Sequence, residues 1–328
     1  MNTVVRFARP AAIGAVALLA LTGCTAPAPA PAPEPDEIIQ ISITQSPLTY
    51  YAPVWIADEK GFFADHGIEI TFAESVPTGA GQIAMITSGQ VDVIASAPAS
   101  MMQAQVEGLQ TQFIAGIADF ATTDEADAGG IIVLESSDIQ RPRDLNGKKV
   151  GVSSIQSMQQ TKIAATIDED GGDWTTVEFV QVPPPSMAGL LQSGEIAAAS
   201  PFQPGLTALL QTGDYRRISG ANWVALGGTP GLSIASTPQW IAENTEAADR
   251  IYAAITEAVA WANDPANHDE LLEIIAAHLD SDVEILKDWP VDPYNADVSL
   301  DALEKLQKHM IDFGLLAGEV DLEAMLRD

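Results

Sequence analysis

From Ile38 onward, short stretches of alternating apolar and polar residues exchange regularly with longer stretches of helical periodicity. The segments Ile39–Ile43 and Ile68–Phe72 each place isoleucine or phenylalanine at every second position. This period of two predicts strands that are buried on one face. Further strands are predicted at 91–96, 112–118, 130–134, 149–153, 177–182 and 196–199. The exchange of strands with helices predicts an α/β fold with mainly parallel sheets.

The helical stretches carry start and packing signals that are typical of α-helices. Thr49–Glu59 is predicted to be helical, with Pro53 near the first turn, where a missing N–H costs no helix hydrogen bond. After Thr237 the pattern is helical almost to the C-terminus. Apolar residues at helical spacing within Ile251–Val259 predict that this last region packs against a core.

One pattern occurs twice along the chain. Residues 86–100 and 191–204 each join a helix end at Ser-Gly to a short apolar strand, and then to a serine and a proline that open the next helix. The repetition predicts two similarly built lobes that present strand ends and helix N-termini to one cleft. The predicted bounds are 38–122 with 225–328 for lobe 1 and 123–224 for lobe 2.

The N-terminus has the pattern of a secretion signal over residues 1–23. Arg6 and Arg9 give it a positive start, and an apolar run follows from Ala11 to Leu21. That run rises about 16 Å at ~1.5 Å per residue, whereas the hydrocarbon core of a bilayer is roughly 30 Å thick. It is therefore predicted to be a targeting segment rather than a permanent membrane span.

Cys24 is the only cysteine, which excludes a disulfide within the chain and a multi-cysteine metal site. Its context, Leu21-Thr22-Gly23-Cys24, resembles the bacterial lipobox, in which the thiol carries diacylglycerol. Two or more acyl chains anchor a protein stably, so we predict an anchor on the outer face of the cytoplasmic membrane. A free cysteine without a role is the alternative. The Ala-Pro run within residues 24–37 is predicted to be an extended linker.

Composition excludes several classes of partner. The chain has 45 acidic and 15 basic side chains, for a formal net charge of −30. Such a charge repels nucleic acids and anionic lipid headgroups. The 4 histidines are scattered over separate predicted helices without the spacing of a metal site. We therefore expect no nucleic acid, no metal and no cofactor.

Several further segments follow one another in a recognisable order. Residues 50–72, YYAPVWIADEKGFFADHGIEITF, contain a helix, Lys-Gly-Phe-Phe, a short acidic turn, a glycine and an alternating strand. This order resembles the opening of the NMT1/THI5-like, or SsuA-like, group of nitrate, sulfonate, taurine and pyrimidine-precursor binding proteins. Later landmarks of the group are similar to SGQVDV at 88–93, DLNGKKVGV at 144–152, LQSGEI at 191–196 and Pro201-Phe202.

The resemblance implies a periplasmic-binding-protein type II fold of two α/β lobes with a ligand cleft between them. A hinge would close the lobes on a small solute, and the closed form would dock on the permease subunits of an ABC importer. Ligand contacts would come from loops at strand ends, namely 45–53, 76–82, 96–101, 153–160, 200–204 and 227–232.

Particular residues in these loops are candidates for ligand contact. One of the two adjacent tyrosines, Tyr50 or Tyr51, is expected to pack under its helix instead of contacting the ligand. Ser100 has the alternative role of a helix cap. The candidates are Tyr50, Tyr51, Thr78, Gly79, Gln82, Ala97, Pro98, Ser100, Gln156, Ser157, Phe202, Gln203 and Thr229.

The six loops contain no Lys, Arg, Asp or Glu. A neutral polar or aromatic solute, such as a pyrimidine, is therefore favoured, with Tyr50, Tyr51 and Phe202 stacking on it. A sulfonate or another oxyanion stays open as a ligand, because helix N-termini and hydroxyls bind anions without a cation. Asp119, at the end of a predicted strand, is interpreted as a solvated residue, with amine binding as the alternative.

The predicted function is that of a monomeric, lipid-anchored solute-binding subunit of an ABC importer that catalyses no reaction. A ligand sensor for a membrane receptor is the first alternative. The second is an enzyme similar to the pyrimidine synthase related to this family, which uses a reactive lysine and a segment rich in cysteine and histidine. The sole cysteine of this chain lies at the predicted lipid site, which argues against the enzyme.

Overall fold

The computed structural model describes residues 38–74, 78–288, 290–291 and 293–327. The predicted secretion signal, the Cys24 anchor and the linker to residue 37 lie outside these ranges. Strands in the described residues form three sheets. The strands are β1 (Ile39–Thr44), β2 (Ile68–Ala73), β3 (Ile94–Ser96), β4 (Gln112–Asp119), β5 (Ile131–Leu134), β6 (Lys149–Val152), β7 (Glu178–Gln181), β8 (Ala198–Ala199), β9 (Tyr215–Ser219) and β10 (Pro230–Ser236).

Two of the sheets combine the beginning of the chain with one strand that returns. β1 and β2 pair in parallel, with Ile41 opposite Ile70. β10 lies between β3 and β4 and is antiparallel to both. A single bridge from Ile43 to Val93 joins the two sheets. We call the part of the molecule that contains β1 to β4 and β10 the first region.

The third sheet uses only residues between 131 and 219, in the order β7-β6-β8-β5-β9. We call this part the second region. β6 is parallel to both of its neighbours, whereas β5 is antiparallel to both. Mainly parallel pairing was therefore a wrong prediction for β5 and β10. Each is the first strand after the chain crosses from one region to the other, and it enters its new sheet in the reverse direction.

Helices follow most of the strands and cover the sheets. A short 3-10 turn at Thr49–Tyr51 precedes the first helix, so the predicted helix over 49–59 is confirmed. The helices are α1 (Ala52–Glu59), α2 (Phe62–Asp65), α3 (Gly79–Thr87), α4 (Pro98–Val106), α5 (Met158–Glu169), α6 (Met187–Ser193), α7 (Gly205–Gln211), α8 (Trp223–Leu226), α9 (Pro238–Glu243), α10 (Thr245–Ala262), α11 (His268–Leu279), α12 (Val283–Leu286) and α13 (Leu300–Asp312).

The two regions have separate apolar cores. β1, β2 and β4 share one core with α1, α10 and α11, and Ile255 of the predicted stripe is fully buried in it. This burial confirms that the last helical region packs against a core. The sheet of the second region packs on α5 through Ile163 and on α6 through Leu191.

The repeated Ser-Gly pattern corresponds to two helix ends with the same conformation. Gly89 follows α3 at a φ of 69°, and Gly194 ends α6 at a φ of 74°. This left-handed region is open to glycine and costly for other residues. Because β3 and β8 follow and lead into α4 and α7, the two regions share one local design. The lobe bounds at residues 123 and 225 stay a prediction.

Candidate ligand-binding site

A cavity of about 360 Å³ lies where β1 and β3 end. A volume of this size suits a small solute. All of its wall residues come from the first region, and none of them is charged. They are Gln45, Ser46, Pro47, Leu48, Tyr50, Thr78, Gly79, Gln82, Ala95, Ser96, Ala97, Ser100, Gly231 and Leu232.

Two helix N-termini meet at this cavity. Thr78 caps α3, and its hydroxyl accepts a hydrogen bond from the Gly81 amide at 3.1 Å. α4 begins with Pro98 after Ala97 and has no side-chain cap. The first amides of a helix have no carbonyl within that helix to donate to, and the helix dipole makes this end positive. Both helix dipoles thus point their positive ends at the cavity, which suits an anion. α4 offers fewer free donors, because Pro98 has no N–H and the Ser100 amide already donates to the Ala97 carbonyl at 2.9 Å.

Gly79 permits the close approach of these two helices. A Cβ atom at this position would overlap both side-chain heavy atoms of Ser100 on α4. Because one of those atoms is the Ser100 Cβ, rotation of the serine side chain could not relieve the overlap. Any larger residue at position 79 would push α3 away from α4.

Buried polar side chains in the cavity wall have no partner. The hydroxyl of Ser96 is buried and makes no hydrogen bond. Ser46 and Gln82 are each 7% exposed, and neither side chain has a hydrogen-bond partner among the described residues. Leaving a buried polar group such as the Ser96 hydroxyl unpaired costs about 1–3 kcal/mol, whereas the polar atoms of Ser46 and Gln82 reach solvent in the cavity. These three side chains are therefore prepared to bond to a bound solute.

The two adjacent tyrosines have different positions. Tyr50 lines the cavity, and its ring meets the edge of Phe120 at a centroid distance of 5.7 Å. Tyr51 is fully buried, and its hydroxyl donates to the carbonyl of Thr44 at 3.0 Å. Burial, with the charge of Asp58, raises the pKa of the Tyr51 phenol. Tyr51 therefore lies under its helix with its hydroxyl already bonded and does not line the cavity, as expected of one of the two tyrosines.

Two other predicted contacts also fail to reach the cavity. Thr229 is fully buried, and its hydroxyl donates to the carbonyl of Leu226 at 2.7 Å. Pro98 is buried as the first residue of α4 and lies behind the cavity wall. Turn and helix starts are packed on one side, so in this structure only the neighbours of these two residues line the cavity.

The predicted contacts from the second region lie away from this cavity. Ser157 caps α5, while Gln156 before it is exposed and has a φ of 53°. Phe202 is 50% exposed. Gln203 uses its amide within the fold, donating to the carbonyl of Ala128 at 2.8 Å. These four positions contribute nothing to the cavity wall in this conformation.

Sequence reasoning missed several wall residues although it named their loops. Ser46 and Leu48 belong to the predicted loop 45–53, and Gly231 and Leu232 belong to the predicted loop 227–232. Ser96 ends β3 and belongs to the predicted loop 96–101, but it was not named as a candidate contact. The signal that could have identified it is a serine at the point where a buried strand turns into a helix N-terminus.

Charged groups lie outside the cavity wall. Burial raises the pKa of Asp119 to about 6, with the hydrogen bond from Asn295 opposing the shift and the charge of Asp297 adding to it. Asp119 is thus a partly buried residue bonded to Asn295, not a solvated one. Within the described ranges no group of three or more His, Cys, Asp or Glu side chains is placed to hold a metal ion. No described helix is both long and apolar enough to cross a bilayer.

Comparison with known proteins identifies the family. The family model described as NMT1/THI5 like matches residues 48–268. The chain belongs to this family. The resemblance seen in the sequence is thereby confirmed.

Relatives of this NMT1/THI5-like chain cover nearly its whole length. A Bacillus subtilis protein named as an aliphatic sulfonates-binding protein is 25% identical over 318 residues, covering 95% of this chain and 91% of the relative. The periplasmic aliphatic sulphonate binding protein SsuA of Escherichia coli has a TM-score of 0.72 at 17% identity, covering 90% of this chain and 93% of that one. The periplasmic nitrate-binding protein NrtA of Synechocystis has a TM-score of 0.69 at 16% identity, with coverages of 89% and 86%. These structures confirm the predicted fold class.

Enzymes occur among the partial relatives. A 4-amino-5-hydroxymethyl-2-methylpyrimidine phosphate synthase of Saccharomyces cerevisiae is 29% identical over 142 residues, which is 42% of this chain and 39% of the enzyme. The relative with far greater coverage is named as a binding protein. The comparisons therefore favour the predicted role in solute binding over the enzyme alternative.

Proposed function

We propose that this chain is the solute-binding subunit of an ABC importer and that it binds a small sulfonate in the cavity beside α3 and α4. The observation that carries this proposal is the meeting of two helix N-termini beside the buried, unpartnered Ser96 hydroxyl, in a wall without charged residues. The names of two relatives that cover nearly the whole chain support the same ligand class. In our proposal the protein carries out no chemical reaction on its solute.

The charge of the ligand follows from the charge of the wall. Each helix N-terminus is equivalent to roughly half of a positive elementary charge, so two of them together balance one negative charge. A sulfonate carries one negative charge and three acceptor oxygens, which match the amides of α3 and α4 and the Ser96 hydroxyl. A dianion such as sulfate would keep an unbalanced charge against a partly buried wall, which is unfavourable.

The rest of the wall suits an apolar substituent on the sulfonate. Leu48 and Leu232 line the cavity, and the Tyr50 ring forms part of the same wall. A short alkyl chain packed on these side chains would gain about 0.8 kcal/mol for each methylene removed from water. The neutral pyrimidine favoured by composition alone would leave the amides at the helix N-termini without an anionic partner.

Closure of the two predicted lobes would complete the site. We propose that lobe 2, residues 123–224, moves toward the cavity and brings Gln156, Ser157 and Phe202 onto the bound solute. Phe202 supports this proposal, because a phenylalanine that is 50% exposed at a strand end lacks apolar contacts which closure would supply. Ligand contacts to both lobes would give the closed state its higher affinity.

We also propose that the protein is secreted and held by lipid on Cys24. The support is the sequence Leu-Thr-Gly-Cys after an apolar run. Metabolic labelling of producing cells with a radioactive fatty acid tests it. Label on the wild type and none on Cys24→Ala, which should then be released from membranes, is the expected result, and equal labelling of both would refute the anchor.

Calorimetric titration of the purified protein tests the ligand class. Butanesulfonate, taurine, nitrate, sulfate and a methylpyrimidine are the probes. We expect saturable one-to-one binding of butanesulfonate, weaker binding of taurine, whose amine has no carboxylate in the wall, and no measurable binding of sulfate. Tight binding of the pyrimidine with none of the sulfonate would reject the proposed class.

A matched pair of serine variants locates the site. Ser96→Ala removes a hydroxyl from the cavity wall, and Ser193→Ala removes an exposed hydroxyl at the end of α6. We expect Ser96→Ala to weaken butanesulfonate binding roughly tenfold, equal to about 1.4 kcal/mol, because a hydrogen bond to a charged group is lost. Ser193→Ala should bind like the wild type. Equal affinities for the two variants would move the site elsewhere.

A further inference from the structure

Lys162 on α5 contacts both segments of chain that connect the two regions. We call residues 120–130 the outward crossing and residues 220–229 the return crossing. The Lys162 ammonium donates to Asn222 Oδ1 of the return crossing at 2.5 Å. The same ammonium lies over the ring of Phe120, at the start of the outward crossing, 5.1 Å from the ring centroid.

The two crossings are themselves bonded to each other next to Lys162. Asp127 of the outward crossing is 1% exposed, and its carboxylate accepts hydrogen bonds from the Asn222 amide at 2.6 Å, from Asn222 Nδ2 at 2.7 Å and from the Trp223 amide at 2.9 Å. Asn222 is therefore held in one orientation, with its side-chain oxygen presented to Lys162. The contact of Lys162 is made to a fixed partner rather than to a mobile surface amide.

Phe120 connects Lys162 to the wall of the ligand cavity. The edge-to-face contact with Tyr50 joins the Phe120 ring to a residue that lines the cavity. On the backbone, the Phe120 amide donates to the Thr229 carbonyl at 2.9 Å, and the Gly228 amide donates to the Phe120 carbonyl at 2.8 Å. Lys162, Phe120 and Tyr50 thus form a continuous chain of contacts from α5 to the solute site.

Thr161, next to Lys162, joins α5 to α13. Thr161 Oγ1 lies 3.2 Å from His309 Nε2 on α13, and both groups are buried. Burial, with the nearby Lys162 ammonium as the next cause, lowers the pKa of His309 to about 4. One turn of α5 therefore docks on α13 and on both crossings, while the N-terminus of the same helix carries Ser157.

We propose that Lys162 is a positioning residue that sets the orientation of α5, and with it the second region, relative to the ligand cavity. The inference rests on the proposed function as a solute-binding protein that closes on its ligand. In the proposed closure the two crossings are the pivot, so a contact made to both of them is kept as the regions move. Loss of the contact would spread the ligand-free protein over more orientations and lower the fraction that is competent to bind.

Variants at position 162 separate positioning from simple support of the fold. Lys162→Met keeps the length and apolar packing of the side chain but removes the ammonium. Lys162→Arg keeps a cation over the ring and a donor for Asn222. Lys148→Met removes the same charge from an exposed lysine and serves as the control. The readouts are the affinity for butanesulfonate and the radius of gyration by small-angle scattering, without and with ligand.

We expect Lys162→Met to bind butanesulfonate about tenfold more weakly and to have a larger radius of gyration without ligand, since fewer molecules hold the competent orientation. Lys162→Arg should restore both values, and Lys148→Met should leave them unchanged. Unchanged affinity and unchanged scattering for a folded Lys162→Met protein would overturn the proposal. Equal weakening by Lys148→Met would also overturn it, because the effect would then be one of net charge.

Two further measurements keep the test decisive. If the wild type binds none of the sulfonates, the proposed ligand class fails, while the ligand-free scattering comparison still tests Lys162. If Lys162→Met does not fold, Phe120→Leu removes the ring under the ammonium and keeps an apolar side chain. It should then give the same weakening and the same expansion, and wild-type values for both would refute the role of the contact.

Discussion

The strand-end loops of the two regions contain similar polar residues that are bonded differently. In the first region, the Ser96 hydroxyl is buried in the cavity wall without a partner, and the Gln82 side chain in the same wall makes no hydrogen bond to the described residues. In the second region, Gln159 accepts from the Ser153 amide at 2.7 Å and donates to the carbonyl of Ser200. Gln203 is bonded in the same way to the outward crossing.

The difference shows where a solute has something to bind. A polar side chain in a strand-end loop can bond to a ligand only if the fold leaves its hydrogen bonds unmade. The first region leaves them unmade around a cavity, whereas the second region uses them to join its own loops. We infer that the first region supplies the specific contacts to the head group and that the second region acts as a rigid cover.

The largest expected effect comes from Gly79→Ala. Its Cβ would overlap Ser100 and separate the two helix N-termini, so we expect butanesulfonate affinity to fall about 100-fold, or about 2.7 kcal/mol. Calorimetric titration measures it. Gly189→Ala is the matched control, because a Cβ there meets no atom within 4 Å. Wild-type affinity for Gly79→Ala would contradict the claim that the solute binds where the N-termini of α3 and α4 meet.

Replacing Gln203 tests whether the second region uses its polar loop residues for the fold. Its amide oxygen accepts from the Thr207 hydroxyl at 3.0 Å and its nitrogen donates to Ala128. Gln203→Ala should lower the free energy of unfolding by roughly 1–3 kcal/mol in chemical denaturation. Phe202→Ala, next to it and exposed, should leave stability unchanged and weaken binding only. The reverse pattern would show that Gln203 belongs to the site.

The tyrosine pair gives the same comparison within the first region. Tyr51→Phe leaves the Thr44 carbonyl without its donor and should cost about 1 kcal/mol of stability with no change in affinity. Tyr50→Ala should weaken binding of butanesulfonate, because its ring lines the cavity. Thermal unfolding and titration of both variants provide the data. A loss of affinity in Tyr51→Phe would contradict the assignment of Tyr51 to the core.

The remaining prediction concerns the pH dependence of stability. The folded-state pKa of Asp119 is raised to about 6, so its stabilising contribution is complete below about pH 4 and is lost as pH rises through 6. The folded-state pKa of His309 is lowered to about 4, so its contribution instead increases as pH rises from 4 to 6.5.

These two contributions oppose each other over the same range. Asp119→Asn should therefore make stability rise more steeply between pH 4 and 6, by up to about 1.4 kcal/mol per pH unit. Denaturant unfolding at several pH values measures the slope. A slope equal to that of the wild type would mean that Asp119 titrates normally in the folded protein.

Much of the fold followed from local pattern. Alternating isoleucines predicted β1 and β2, and the Ser-Gly repeats predicted two helix ends that the structure has. β9 was missed because Arg216 and Arg217 conceal its alternation, and their guanidinium groups in fact bond to backbone carbonyls. β10 was missed because it is rich in small residues, and its place between β3 and β4 depends on the return of the chain rather than on local sequence.

The site was predicted less completely than the fold. Composition correctly indicated that the cavity wall is uncharged, and Tyr50, Thr78, Gly79, Gln82, Ala97 and Ser100 were named among its residues. Sequence could not distinguish Tyr50 from Tyr51, because adjacent residues before a helix differ only in which side packs. It also could not show which polar side chains are already bonded, since their partners are distant along the chain.

The central claim is that an anionic head group binds at the N-termini of α3 and α4. A crystal structure of the protein with bromoethanesulfonate tests it most directly, because the anomalous signal of bromine marks the orientation of the solute. We predict sulfonate oxygens about 3 Å from backbone amides in the first turn of α3, from the Ala99 amide of α4 and from the Ser96 hydroxyl, with bromine toward Leu48 and Leu232. Bromine at the helix N-termini, or density only outside this cavity, would contradict the account.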